Sequence, residues 1–580
     1  METNKPHTMT GAQAVVCALQ AENVDTVFGY PGGYIMPVFD ALYTCQDQLH
    51  TVLTRHEQGA AHAAQGYARV SGKVGVVIVT SGPGASNVVT GAADAMLDST
   101  PLVIICGQSG VAQLGSDGFQ ETDLIGITQP VTKWNYQIRR AEDIPWAMAR
   151  AFYIAREGRP GPVVLDLSKD AQNQTLDFHY EKCSFIRSYQ PYPQPAEGSV
   201  ETAAEWINAA ERPLAIVGQG VQLAHAEQEL YAFLEKAGIP AASTMMGLSL
   251  MADDYPLNVG MVGMHGNVAP NRKTNECDVL IAIGMRFSDR ITGNVNTYAR
   301  QARIIHMDID PSEINRNVPV DLPVLGNVKT NLPRLTALLR PAEHKEWLES
   351  FKPFEQQEAE RVRQKDLFPQ QDTLTMAEVV KAVSDASGPE AVCVADVGQN
   401  EMVSARYFSA SPSRRFVASG GLGTMGFCLP AAVGAAIGCP RAEVYAICGD
   451  GGFQMTEQEL GTMMQYRLPV KMVILNNSYL GMVRQWQELF WQERYSSTYM
   501  QNPDFVTLAS AYGIKGRRVS ERSQLAGAVA EMVACPGPYL LEVTVEQKGL
   551  VFPMIPAGTS ISNILMEKPL GGPVDKSKLK

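Results

Sequence analysis

With 580 residues, 45% hydrophobic and 19% charged, the chain has room for several globular units of roughly 100–200 residues, which excludes a small stapled module or a largely disordered protein. The formal net charge of −12 disfavours nucleic acid or an anionic membrane as partner, because such surfaces select a basic face. Ten cysteines without a CxxC pair read as reduced core thiols; no apolar run nears the ~20 residues of a membrane span and no leader pattern opens the chain, so a cytoplasmic location is the default expectation.

Along the chain, short Val- and Ile-rich runs alternate with longer amphipathic stretches, at 74–80, 102–106, 162–167, 214–217, 279–283, 303–308, 392–395, 444–448, 470–475 and 539–545. Apolar runs without polar alternation predict strands covered on both faces, hence α/β architecture with doubly wound parallel sheets. A polar, turn-rich stretch at 171–199 and a charged one at 341–372 read as linkers. They divide the chain into α/β units at 8–175, 200–340 and 373–545, and an apolar tail at 546–580 is expected to fold back as an arm.

Ligands in such folds bind beyond the carboxyl ends of the strands, and four segments there carry chemistry. Cys448-Gly-Asp-Gly-Gly452 ends one strand and Asn476-Asn477 the next. An Asp carboxylate and an Asn carbonyl are hard oxygen ligands for Mg²⁺, and the glycines admit a diphosphate; each motif alone is an ordinary turn. Arg55-His-Glu-Gln58 opens a helix of small residues, where an acid is usually only a partner for the helix dipole. The glycine-rich segment 419–438 contains Met425, and close packing alone would account for its glycines. Gly481-Met-Val-Arg-Gln-Trp-Gln487 follows the metal motif, and its Trp could be core.

The pairing of Gly-Asp-Gly with Asn-Asn resembles the signature of thiamine diphosphate enzymes. That resemblance implies Asp450, Asn477 and the Tyr479 carbonyl as Mg²⁺ ligands. It makes Glu57 the acid that meets the aminopyrimidine of cofactor held by another subunit, so that a homodimer or homotetramer follows. Met425 becomes the wedge beneath the cofactor, with Gly398, Gln399, Gly423, Gly449 and Gly451 around it. The 481–487 segment resembles the acetohydroxyacid synthases within that family, as do 28–33, 80–87, 119–121, 158–170, 260–266, 285–290 and 306–311. The implied activity is decarboxylation of pyruvate and transfer of the hydroxyethyl group to pyruvate or 2-ketobutyrate, giving 2-acetolactate or 2-aceto-2-hydroxybutyrate. Met482 and Trp486 would line the acceptor pocket, Arg290 would grip the acceptor carboxylate, and Gln120 and Lys169 would form its first-domain wall. FAD is implied in the middle unit, against Arg159, His265, Gly266, Arg286, Arg290, Asp308 and Asp310. The three units become pyrimidine-binding, FAD-binding and diphosphate/Mg-binding domains, and a small regulatory subunit is a further implied partner.

The chain departs from the pattern in three places: Ser288 where an Asp usually precedes Asp289-Arg290, Asn400 where a His usually follows Gly398-Gln399, and the polar stretch 109–118. Asn cannot exchange a proton near neutral pH, so an altered proton relay is expected. The rival readings are another carboligase, decarboxylase or oxidase of 2-keto acids on the same cofactor, and a non-catalytic binding protein on the same scaffold. A dinucleotide dehydrogenase is excluded by the lack of a GxGxxG turn after the first strand.

Overall fold

The apolar runs form the interior of three sheets in the computed structural model, which describes residues 7–569. Each sheet has six strands, all parallel. The first holds Thr26–Tyr30, His50–Leu53, Gly75–Val79, Leu102–Gln108, Trp134–Ile138 and Pro162–Ser168; counted in that sequence, the strands lie 2-1-3-4-6-5. The last, made of Val392–Ala395, Arg415–Val417, Val444–Gly449, Lys471–Asn476, Lys515–Val519 and Tyr539–Thr544, repeats that order. The middle sheet comprises Pro213–Val217, Ala241–Ser243, Asn258–Met261, Val279–Ile283, Arg303–Asp308 and Leu322–Leu325. Its order is 3-2-1-4-5-6, that of dinucleotide-binding folds.

All ten strands expected from sequence are present, and each lies inside its sheet. The strands that the apolar runs did not signal include every sheet edge. Lys515–Val519, for example, is Lys-Gly-Arg-Arg-Val and mostly solvated, the charged composition that keeps an edge from pairing with another chain. The segment 171–199 is not wholly a connection: Thr175–Phe178 pairs antiparallel with His7–Thr10. The ten cysteines are free, but only Cys106, Cys277, Cys393, Cys428 and Cys448 are fully buried.

Five helices position the site: α1 (Glu57–Ser71), α2 (Val89–Leu97), α3 (Gln399–Tyr407), α4 (Cys428–Gly438) and α5 (Gly481–Phe490). The start of α1 is fixed by His56, whose Nδ1 accepts the Gln58 N–H at 3.1 Å, and its end by Gly72 in the left-handed region. Alanines and glycines then let α1 and α4 cross almost backbone to backbone. A Cβ on Gly66 would sit 1.9 Å from the Ala431 carbonyl oxygen, and one on Gly434 1.7 Å from that of Ala63. A single core cluster therefore joins the first and last sheets.

The arm folds back, as its apolar composition requires. The Ile555 N–H donates to the Met264 carbonyl at 2.8 Å, and the Asn294 N–H to that of Thr559 at 2.8 Å. Ile555, Ile561, Ile564 and Met566 enter the core of the middle unit beside Leu280, Ala282 and Phe287. The end of the arm, 570–580, lies outside the described residues. No helix among the described residues is long and apolar enough to cross a membrane.

Candidate active site

In the 2-1-3-4-6-5 order the chain reverses direction between the first and third strands, and a crevice opens beyond their carboxyl ends. In the last sheet those ends are Ala395 and Gly449, so Gly398, Gln399 and Asp450 meet there. Asp450 is 1% exposed; its Oδ2 accepts from Asn502 at 2.7 Å, while Oδ1 is buried with no partner. Burial pushes its carboxyl up to about 6 despite the bond from Asn502. Asn477 is also buried, with its Nδ2 3.4 Å from Gln399 Oε1 and its Oδ1 accepting the Tyr479 N–H at 3.0 Å. Ser478 between them is in the left-handed region, which turns the chain sharply enough to present both neighbours. A buried carboxylate oxygen without a donor, in a cavity that Asn477 also lines, suits a small hard cation completed by phosphate and water. Three or more His, Cys, Asp or Glu do not cluster as a metal site among the described residues.

These groups belong to one cavity of about 720 Å³ lined mainly by the middle and last units, with Leu97–Ser99 and Gly158–Pro160 of the first unit along it. Its wall carries Gly398, Gln399, Gly423, Met425, Gly449 and Gly451 at one end, with Met482 and Trp486 of α5 beside them. Gly423 is left-handed with nothing near the place of a Cβ, so backbone is bared to the cavity there. Asn400 donates its amide to the Asp396 carbonyl at 2.6 Å, tying the helix start to the end of its own strand. Gln485 of α5 accepts from Gln399 at 2.9 Å and exchanges bonds with the Val551 backbone at 2.8 and 3.0 Å. The arm is thus linked to the cation corner through two buried amides.

At the other end, beyond the switch point of the middle sheet, the wall carries Arg159, His265, Gly266, Arg286, Arg290 and Asp308. His265 Nδ1 lies 3.2 Å from the Pro553 carbonyl, and burial first, then Arg406, holds the ring neutral to about 4. Burial, and then Arg159, lowers the Arg286 pKa. Asp310 lies outside this wall and accepts from Arg159 at 3.2 Å. Arg290 is exposed, its guanidinium 3.6 Å from Asp289, so the neighbour after Ser288 supplies a carboxylate.

Glu57, Gln120 and Lys169 are not in this wall. They lie past the carboxyl ends of the second, fourth and sixth strands of the first sheet. Asn87 donates to Glu57 Oε2 at 3.0 Å, and a Cβ on Gly84 would sit 3.3 Å from Oε1. Gln120 is left-handed and packs on Gly82, and Lys169 Nζ stands 5.7 Å over the Tyr34 ring. Phe119 beside Gln120 is 80% exposed. One chain therefore presents two half-sites that do not close on each other.

The motif reading missed what holds the Met425 loop. Asp98, the C-cap of α2, accepts the N–H groups of Gly420 and Gly421 at 3.1 and 2.7 Å and pairs with Arg69 at 2.7 Å. Asp94, one turn earlier, accepts the hydroxyls of Ser419 and Thr424. Two acids four residues apart on one helix face are the only sequence signal of this clamp.

Comparison with known proteins gives three family matches in chain order: the thiamine pyrophosphate enzyme N-terminal TPP binding domain over residues 9–127, the central domain over 200–335 and the C-terminal TPP binding domain over 396–543. The chain is 45% identical to the acetolactate synthase large subunit of Corynebacterium glutamicum, with 96% of this chain and 90% of that protein aligned. It is 44% identical to the acetolactate synthase isozyme 2 large subunit of Escherichia coli K12, over 96% and 99%. A probable acetolactate synthase large subunit of Methanocaldococcus jannaschii is 43% identical over 96% and 95%.

Proposed function

Since the chain belongs to the thiamine pyrophosphate enzymes and, among them, to the acetolactate synthase large subunits, we propose that it joins two 2-keto acids. It decarboxylates pyruvate and transfers the hydroxyethyl group to pyruvate or 2-ketobutyrate, at the start of branched-chain amino-acid synthesis. The observation that carries this reading is the single cavity in which Asp450, Asn477, Met425, Met482 and Trp486 converge.

Bound thiamine diphosphate supplies the carbon nucleophile and the electron sink that decarboxylation needs. Asp450, Asn477 and the Tyr479 carbonyl hold Mg²⁺, the unpartnered Asp450 oxygen being the anionic ligand. Gly398, Gln399, Gly423, Gly449 and Gly451 would line the diphosphate, and Met425 would support the cofactor in the same cavity. The partner subunit's Glu57 holds the proton at the aminopyrimidine nitrogen. The exposed Phe119 next to Gln120 is apolar surface suited to cover by a second copy, whose cavity Gln120 and Lys169 then wall. Arg290 takes the acceptor carboxylate through its planar fork, and Trp486 and Met482 pack its alkyl end. FAD fits the 3-2-1-4-5-6 lobe, with Arg159 and Arg286 as its cations and His265, Gly266 and Asp308 along it.

On this reading the domains are 8–175 for the pyrimidine, 200–340 for FAD and 373–545 for the diphosphate and Mg²⁺, with 546–580 as an arm. The enzyme is a cytoplasmic homo-oligomer, and the name "large subunit" borne by its relatives supports a small regulatory partner. The test is purified chain with thiamine diphosphate, Mg²⁺ and FAD, given pyruvate with and without 2-ketobutyrate. Product is followed by mass and flavin by absorbance. Acetolactate or acetohydroxybutyrate, lost in Glu57→Gln while the flavin stays oxidised, is expected; acetaldehyde or reduced flavin instead would overturn the acceptor assignment.

A further inference from the structure

Glu401 stands in the cavity wall with no task in the scheme above. It belongs to the first turn of α3 and is 3% exposed, and its Oε1 is buried with no hydrogen-bond partner. The three side chains of that turn divide the space between them. Gln399 reaches Gln485 and the Gly549 carbonyl, and Asn400 ties back to the Asp396 carbonyl. The Glu401 N–H donates to the Gly398 carbonyl at 3.2 Å, which sets the residue at the helix start, where free backbone donors gather to receive an anion.

The surroundings decide its charge. Burial first, and then Asp396, Asp98 and Asp94, push the Glu401 acid well above the usual carboxylate range. Arg69 is committed to Asp98 at 2.7 Å. Arg406, on the same helix, is spent on Glu358 and on the carbonyls of His265 and Gly266. An ionised carboxylate here would repel a diphosphate lying over the same turn. A carboxylic acid keeps one oxygen to accept and has an O–H to give.

Resting on the thiamine diphosphate reading, we propose that Glu401 is a further binding residue for that cofactor, donating the O–H of its unpaired oxygen to a diphosphate oxygen. The bond is made to a charged acceptor, so its loss weakens binding by about tenfold or more.

The test is direct binding at pH 7.5 in the presence of Mg²⁺, by titration calorimetry on the full chain, without turnover. Thiamine diphosphate, inorganic pyrophosphate and unphosphorylated thiamine are compared on wild type, E401Q and E401L. E401Q keeps an N–H donor and is expected to bind both diphosphates within about threefold of wild type. E401L is expected to lose about tenfold or more for both diphosphates and nothing for thiamine. Equal affinity of E401L and wild type overturns the proposal, as does an E401Q as weak as E401L. A loss shared equally by thiamine also overturns it, because the effect would then be general loosening of the cavity. Failure of wild type itself to bind thiamine diphosphate would instead overturn the cofactor reading on which the proposal stands.

Discussion

Gly434→Ala tests whether the crossing of α1 and α4 sets the geometry of the site. The new Cβ would lie 1.7 Å from the Ala63 carbonyl oxygen and 2.6 Å from its carbon. Both are backbone atoms of a packed helix, so no side chain can swing aside, and the helices must part by more than an ångström to restore ordinary contact. Overpacking of this kind costs about 1–3 kcal/mol, and the upper end is expected where the neighbour is rigid. The displacement reaches function because α1 begins at Glu57 and α4 starts three residues after Met425. A misplacement of about 1 Å between catalytic groups costs on the order of 10²-fold in rate. Thermal unfolding and kcat/KM for pyruvate read the two effects. Gly527→Ala is the control: that glycine lies within the helix Arg522–Ala534 with nothing near its Cβ position, so alanine should stabilise by up to about 1 kcal/mol. A Gly434→Ala protein as stable and as active as wild type would refute the reasoning.

Three further outcomes are expected. Asp450→Asn removes the only anionic side chain proposed for Mg²⁺ and should raise the Mg²⁺ needed for half-maximal activity by at least about tenfold, with flavin content unchanged by absorbance; an unchanged Mg²⁺ curve would contradict it. His265 is held neutral down to about 4, whereas the unfolded chain takes up its proton from about 6.5. Its contribution is therefore complete above pH 6.5 and is lost as pH falls toward 4, by up to about 3 kcal/mol; His62, neutral to about 3, acts in the same sense. Melting temperatures between pH 7.5 and 5 should fall less steeply in His265→Asn than in wild type, and parallel curves would contradict this. Trp486→Leu should leave pyruvate consumption largely intact while lowering the share of acetohydroxybutyrate in a mixed-substrate assay by several-fold, a loss of about 1–3 kcal/mol of discrimination; an unchanged product ratio would remove Trp486 from the acceptor pocket.

The sheet interiors were legible because strands such as Val279–Ile283 are apolar at every position, a pattern that only double coverage explains. The edges were not: Lys515–Val519 looks like a basic turn, and Arg415–Val417 is too short to rise above its surroundings. Asp450 and Asn477 were found because a metal site built on strand ends leaves its residues next to one another in sequence. Glu401 and Asp98 were not, because each looks like an ordinary helix-end acid until folding brings them, three hundred residues apart, into one corner. The glycines of α4 show that a plain reading and a functional one need not compete: Gly434 serves close packing, while Gly423 of the same glycine-rich segment bares backbone to the cavity.

The route of the arm bears on how the protein is made. The middle unit is complete in sequence long before Ile555, Ile561, Ile564 and Met566 leave the ribosome, yet those side chains belong to its core. While the last domain is being synthesised, the middle one waits with an open apolar seam that only the segment following that domain can fill. Domains emerge and fold in order, and such exposed surface attracts aggregation and chaperones. A nascent chain stalled after Thr544 would therefore carry its defect a whole domain away from the break, in the middle unit, and a protease should find it there.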